Sequence, residues 1–337
     1  MARKIDVPAL VEGIKASNRS AMAQSITLVE SKKPAHRALA RQLLTEIAPL
    51  TGNAIRLGLS GVPGAGKSTF TDSLGTKLIK EYGKKVAVLA VDPSSSKTGG
   101  SVLGDRTRMA RLTSLDESFV RPSPSGTHLG GVARATREAM LIVEAAGYDV
   151  VIVETVGVGQ SEVAVSGMVD TFLMLSLTGA GDQLQGIKKG ILEMADVIAV
   201  NKADGPNERE ARVAARELAI AMKLVTGNSS DRIPPVLTCS ALNDVGLDEV
   251  WKAVIEHREW LEKTVGLEAY RGHQQVSWMW AQAETAVLDI MHRDAKILPL
   301  VKELEAKVIS GQTSALEASA KLLEEFSELI PQVDWAN

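Results

Sequence analysis

Short apolar runs recur through the middle of the chain: Ile55–Leu59, Val86–Val91, Phe119–Val120, Val150–Val153, Phe172–Leu177, Val197–Val200 and Val236–Thr238. Stretches of helical spacing lie between most of them, namely Thr69–Tyr82, Val132–Ala146, Glu208–Thr226 and Leu247–Val265. Runs this short and this continuously apolar read as strands buried on both faces. Their alternation with helices predicts an α/β fold, a mostly parallel sheet flanked by helices. Ligand-binding loops are expected at the carboxyl ends of the strands.

The two ends of the chain follow a helical period instead. Pro34 is a suitable first helical residue, Ala35, Leu39, Leu43 and Ile47 share one face, and Pro49 with Gly52 stops the run. Residues 1–52 therefore read as a helical N-terminal extension, and 53–265 as the sheet domain. Beyond Gly266 the strand signal ceases. Val276, Trp280, Ala283, Val287 and Ile290 keep helical spacing, as do Ile297, Val301, Leu304 and Val308. Ser314 and Glu317 form a capping box that opens a last helix. Helices of this size make a poor free-standing core. Residues 266–337 are read as a helical arm whose apolar faces pack on a second copy of the chain or cap their own subunit.

Composition narrows the function classes. Over 337 residues the formal net charge is −3, so no global basic field draws the chain to nucleic acid or anionic lipid. One cysteine, Cys239, excludes an internal disulfide and any cysteine metal cage, and the five histidines show no ligand spacing. No apolar run reaches the ~18 residues that suggest a membrane span, and no signal peptide is evident at the N-terminus. A cytoplasmic protein is the expectation.

The most specific local signal is Gly61-Val62-Pro63-Gly64-Ala65-Gly66-Lys67-Ser68-Thr69, between the strand at Ile55 and the helix that follows. It fills every fixed position of G-x-x-x-x-G-K-[ST]. The glycines let the backbone wrap a phosphate with its N–H groups pointing inward, and the helix adds a positive dipole end. Lys67 is expected to carry charge to the β- and γ-phosphates, and Ser68 to offer a hydroxyl to Mg²⁺.

Asn201-Lys202-Ala203-Asp204 follows a later strand directly. An ionised Asp204 can accept from guanine N1–H and the exocyclic N2 amine, whereas adenine would meet it with a lone pair. Asn201 can brace the loop, and the stem of Lys202 can lie along the base. Cys239-Ser240-Ala241-Leu242 ends another strand, where a backbone N–H can donate to guanine O6. GTP and GDP are the expected ligands. Glu154-Thr155-Val156-Gly157 stands where GTP-binding proteins usually show D-x-x-G. Glu154 is expected at Mg²⁺ and the Gly157 N–H at the γ-phosphate. Val158 follows Gly157, so the familiar water-orienting glutamine is absent and slow intrinsic hydrolysis is expected.

Asp92 and Asp105 are further Mg²⁺ candidates in a Gly- and Ser-rich loop. Asp105 reads equally well as a helix N-cap before Thr107–Leu112. The segment from Thr178 to Gly190 holds Asp182, Gln185 and Lys188 among four glycines, a composition that suits a mobile loop or a plain surface connection.

Taken together, the phosphate loop, the Asp92-Pro93 turn, the stretches Glu154–Glu162 and Thr178–Ile191 and the Asn201–Asp204 motif resemble the MeaB-type GTPases. These are G-protein chaperones of cobalamin-dependent methylmalonyl-CoA mutase, once labelled transport-system ATPases or kinases. The match runs over essentially the whole chain, and glutamate at the Glu154 position is that family's habit. The resemblance implies a P-loop GTPase fold and a homodimer joined by the C-terminal arm. It also implies GTP hydrolysis stimulated by methylmalonyl-CoA mutase, control of adenosylcobalamin loading, and protection of the mutase from inactivation. An adenosyltransferase is a further implied partner. Loops 92–105, 154–162 and 178–190 would be switch regions. Independently of the resemblance, Lys67 and Glu154 are expected to serve hydrolysis, with Asp182, Gln185 and Lys188 as candidates for completing charge stabilisation of phosphoryl transfer. A metabolic kinase or transport-coupled ATPase is the competing reading. It predicts ATP preference, against which Asn201-Lys202-Ala203-Asp204 speaks.

Overall fold

The computed structural model describes residues 5–31, 33–91, 109–123, 129–155, 161–178, 189–226, 232–293 and 296–329. Of the candidate site residues, Asp92, Asp105, Gly157, Asp182, Gln185 and Lys188 lie outside these segments. The chain divides into two compact units, Met1–Gly272 and His273–Asn337.

The first unit is built on seven parallel strands: β1 (Ile55–Gly61), β2 (Val86–Val91), β3 (Ser118–Ser123), β4 (Val150–Thr155), β5 (Thr171–Ser176), β6 (Val197–Val200) and β7 (Val236–Thr238). Their order is β3-β2-β4-β1-β5-β6-β7. The chain leaves central β1 toward β2 and β3, returns to β4, then crosses to β5, β6 and β7. The carboxyl end of β1 is therefore where the winding changes side, the usual place for a ligand in such a sheet. β3 runs three residues past the apolar pair that marks it in sequence, through Pro122. Proline is tolerated there because β3 is an edge strand.

Alternate strand residues feed two cores. Val151 and Val153 of β4, with Ala87, Leu89 and Val91 of β2, share one apolar cluster with α1 (Val7–Lys15), α2 (Arg19–Glu30), α3 (Pro34–Ile47) and α6 (Leu129–Ala145). Pro34 does open α3, and Asp6 and Asn18 cap α1 and α2 with their side chains. Val150 and Ile152, with Leu57 and Leu59 of β1, face the other way. They pack with α4 (Lys67–Lys80), α5 (Ala110–Thr113) and α10 (Leu247–Thr264). A third cluster joins β6 to α8 (Lys189–Glu193) and α9 (Glu208–Thr226). The short α7 (Ser161–Ser166) and the residues after it crowd β1, since a Cβ at Gly58 would come 2.9 Å from Phe172 and Val169 side-chain carbons.

α11 (Leu267–Arg293) begins in the first unit and continues into the second. The second unit further contains α12 (Ile297–Ile309) and α13 (Ala315–Leu329), with Met291, Ile297, Val301 and Phe326 in its small core. The capping box is formed: Glu317 N–H donates to Ser314 Oγ at 3.1 Å, and Ser314 N–H to Glu317 Oε2 at 3.2 Å. Among the described residues no helix is long and apolar enough to cross a membrane.

Candidate nucleotide site

Three loops meet at the carboxyl ends of β1, β6 and β7. The first turns from β1 into α4. Gly61 has to be glycine because a Cβ there would run into the Leu175 carbonyl of β5. Gly66 lies in the left-handed region at φ +83°, and a Cβ on it would come 2.9 Å from Asn201 Nδ2. Gly64 is left-handed as well, and Ala65 N–H closes the intervening turn on the Val62 carbonyl. Val62 and Pro63 complete this loop, and α4 starts at Lys67 with its N-terminus, including Thr69, facing it.

Lys67 is buried, and Nζ donates to the Gly61 carbonyl at 2.8 Å. Burial pushes its pKa down, opposed by the charges of Glu154 and Glu162. Glu162, on α7, is itself fully buried. Glu154, near the end of β4, sits between Leu59 of β1 and Ala90 of β2 and is 4 % exposed. Its two oxygens take separate hydroxyls from α4. Ser68 donates to Oε1 and Thr71 to Oε2, each at 2.9 Å.

These donors are hard oxygens, the chemistry that suits Mg²⁺. Ser68 fits a ligand role, because its hydroxyl gives its one proton to Glu154 and keeps lone pairs for a cation. Among the described residues no group of three or more His, Cys, Asp or Glu gathers as a metal site. Two protein oxygens still accord with Mg²⁺, which normally retains waters and shares phosphate oxygens.

The other two loops are locked to the first by Asn201. Its Nδ2 donates to the Ala65 carbonyl at 2.8 Å, and its Oδ1 accepts the Ala241 N–H at 3.0 Å. One buried amide thus ties the phosphate loop to both loops proposed for base reading. Lys202 holds φ +61°, a strained setting for a residue with a side chain. It turns the chain so that Ala203 N–H reaches the Cys239 carbonyl. The Ser240 hydroxyl donates to Asp204 Oδ2, and the Asn243 N–H donates to Ser240 Oγ at 3.2 Å. Ser73 of α4 closes the ring by donating to the Ala241 carbonyl at 2.6 Å. Leu242 is exposed. Asp204 and the Ala241 backbone therefore sit on one fixed scaffold with the phosphate loop, the arrangement that a guanine with its phosphates can span.

Sequence reading passed over Thr71, which it placed simply inside a helix. Its three-residue spacing from Ser68 was the available signal, since i and i+3 share a helix face. It also missed Arg111 of α5, whose guanidinium pairs with Asp244 just beyond the Ser240-Ala241-Leu242 stretch at 2.9 Å.

The family profile described as methylmalonyl Co-A mutase-associated GTPase MeaB matches residues 22–296. The probable GTPase Rv1496 of Mycobacterium tuberculosis (strain ATCC 25618 / H37Rv) is 51% identical over 94% of each chain. The mouse protein named methylmalonic aciduria type A homolog, mitochondrial, is 41% identical over 95% of this chain and 79% of its own length. Among solved structures, one described as LAO/AO transport system kinase superposes with a TM-score of 0.76 at 39% identity, covering 96% of this chain and all of that one. The seven-stranded P-loop architecture and these relatives agree: the chain is a P-loop GTPase and belongs to the MeaB family of methylmalonyl Co-A mutase-associated GTPases.

Proposed function

We propose that this GTPase is a nucleotide-controlled chaperone of a cobalamin-dependent methylmalonyl-CoA mutase, gating adenosylcobalamin loading and protecting the mutase from inactivation. The observation that carries the reading is the family itself, whose description links it to that mutase, together with the methylmalonic aciduria homologues. An adenosyltransferase is a natural further partner, because it would supply the adenosylcobalamin that is gated.

In this reading the phosphate loop and Lys67 hold the β- and γ-phosphates, while Asp204 and the Ser240-Ala241-Leu242 loop hold the base. Ser68 and Glu154 hold Mg²⁺, joined by Asp92 and Asp105. The ion, when bound, neutralises charge that builds on the phosphate oxygens. The chain's own contribution is positional: buried Asn201 keeps base and phosphate subsites at a fixed separation, so guanine binding sets the γ-phosphate against Lys67. Gly157 is the candidate donor to the γ-phosphate. Asp182, Gln185 and Lys188 are the candidates through which a partner completes charge stabilisation.

The apolar surface of the C-terminal unit supports a homodimer as the working form. Val276, Met279, Trp280 and Leu288 of α11 are all more than half exposed. A second copy is the partner that matches such a face on every chain.

The test is GTP turnover by the purified chain with and without methylmalonyl-CoA mutase. Stimulation of an order of magnitude or more is expected, as in other GTPases whose partners complete the site. Lys188→Ala should lower the stimulated rate. Turnover indifferent to the mutase would overturn the assignment.

A further inference from the structure

We propose that Thr71 is a positioning residue that fits a glutamate to the metal position of this GTPase. The inference rests on the reading of Ser68 and Glu154 as Mg²⁺ ligands and deepens it.

Four observations converge. Thr71 is completely buried, one turn into α4, on the same helix face as Ser68. A threonine in mid-helix commonly turns its hydroxyl back to the carbonyl four residues earlier. This one donates across to Glu154 Oε2 at 2.9 Å. Ser68, three residues earlier, donates to the other oxygen at the same distance. The backbone of Glu154 is meanwhile fixed between β1 and β2 by strand register.

The carboxylate is thus held at both oxygens by one rigid helix, and that helix also opens the phosphate loop. An aspartate would be shorter by one carbon–carbon bond, roughly 1.5 Å, and could not meet both hydroxyls from the same strand position. The extra methylene of glutamate carries the carboxylate over α4, and Thr71 stops it rotating once there. Oε1 then stays beside the Ser68 hydroxyl, so both oxygen donors reach a cation already oriented. Without the Thr71 hydroxyl, Oε2 loses a donor in a buried setting and the carboxylate must reorient.

The experiment measures release of a fluorescent GDP from the full-length protein across a Mg²⁺ titration, with EDTA as the metal-free limit. Thr71→Val removes the hydroxyl and keeps the shape; Thr71→Ser keeps the hydroxyl. Thr71→Val should raise the Mg²⁺ concentration for half-maximal slowing of release about tenfold, the loss expected for one hydrogen bond to a charged group. Thr71→Ser should stay within about twofold of wild type. Release in EDTA should be the same for all three. In a Glu154→Asp background, Thr71→Val should add nothing, because the shorter carboxylate no longer reaches it.

A Thr71→Val protein that titrates like wild type would overturn the proposal. So would a loss of GDP affinity that is equal with and without Mg²⁺, since that marks a merely structural threonine. If Thr71→Val does not fold, Glu154→Asp alone carries the test: it must shift the Mg²⁺ midpoint as far, and a wild-type midpoint sinks the idea. Wild-type GDP release that ignores Mg²⁺ would instead remove the metal reading itself, and the role of Thr71 with it.

Discussion

The two ends of the central sheet both bury charge, and they answer it differently. At the amino ends, full countercharges cancel it. Arg56 of β1 donates to both oxygens of Glu144 at 2.7 and 2.8 Å. Arg271 of α11 does the same to Asp170 at 2.8 and 2.7 Å, and also donates to the Gly52 and Ala54 carbonyls. Asp170 Oδ2 in turn accepts the Arg56 backbone N–H at 2.9 Å. At the carboxyl ends, the hydrogen bonds seen among the described residues run to polar groups: Lys67 to carbonyls, Glu154 to hydroxyls, Asp204 to Ser240. Bidentate guanidinium–carboxylate pairs brace a fold and leave no capacity over. Charges held by hydroxyls and carbonyls can still accept a phosphate, a hard cation or a purine edge. The contrast separates the residues that hold the sheet together from those proposed to bind the nucleotide.

Substitutions at the two ends should therefore break different properties. The largest effect belongs to the brace. Arg271→Ala leaves Asp170 buried without its guanidinium, and such losses cost about 3–5 kcal/mol. Denaturant unfolding should show this, with GDP affinity of the folded protein unchanged. Lys67→Ala should do the reverse. It should weaken GDP binding about a hundredfold or more, roughly 3 kcal/mol, and shift the unfolding midpoint little. A Lys67 variant that unfolds as readily as the Arg271 variant would erase the distinction.

Asp204→Asn is a narrower probe. An amide offers the base one donor and one acceptor where the carboxylate offers two acceptors. Preference should shift from guanine toward xanthine, which carries a carbonyl in place of the exocyclic amine. Competition between GDP and xanthosine diphosphate measures it, and an unchanged preference would take Asp204 out of base reading.

The smallest effect lies again at the amino ends. Buried His257 stacks on Trp260, with Nδ1 2.9 Å from the Thr171 hydroxyl and Nε2 3.3 Å from Asp196. Burial, with Arg232 adding to it, pushes His257 down to about 4 from 6.5. The unfolded chain binds that proton first, so the histidine withdraws stability as pH falls from 6.5 toward 4. Burial pushes Asp196 the other way, up to about 7 from 3.8. Its contribution is complete below pH 3.8 and lost as pH rises to about 7. The two slopes oppose each other between pH 4 and 6.5. His257→Gln should leave the Asp196 slope alone, so the variant gains stability on acidification where wild type changes little. Thermal melts across that range test it.

The loops that build the carboxyl-end candidate site were legible in the chain because each is local. Gly61 to Thr69 and Asn201 to Asp204 are contiguous, and each residue type has a reason within its own loop. The parallel sheet was legible for the same reason, from short apolar runs between helices. The brace was not. Asp170 and Arg271 stand 101 positions apart, and Arg56 and Glu144 stand 88 apart. In sequence each reads as an ordinary charged residue, because pairing across such distances is decided by strand order, which apolar periodicity leaves open. Thr71 was hidden more subtly. Its partner is local in space but 83 residues away, and a lone threonine in an amphipathic helix has no pattern of its own.

The most direct test of the carboxyl-end reading is calorimetric titration of the purified protein with GDP and with ADP in Mg²⁺. The site described here predicts tight GDP binding and ADP binding weaker by at least about two orders of magnitude, since adenine turns a lone pair toward the Asp204 carboxylate. ADP binding as tight as GDP would contradict it.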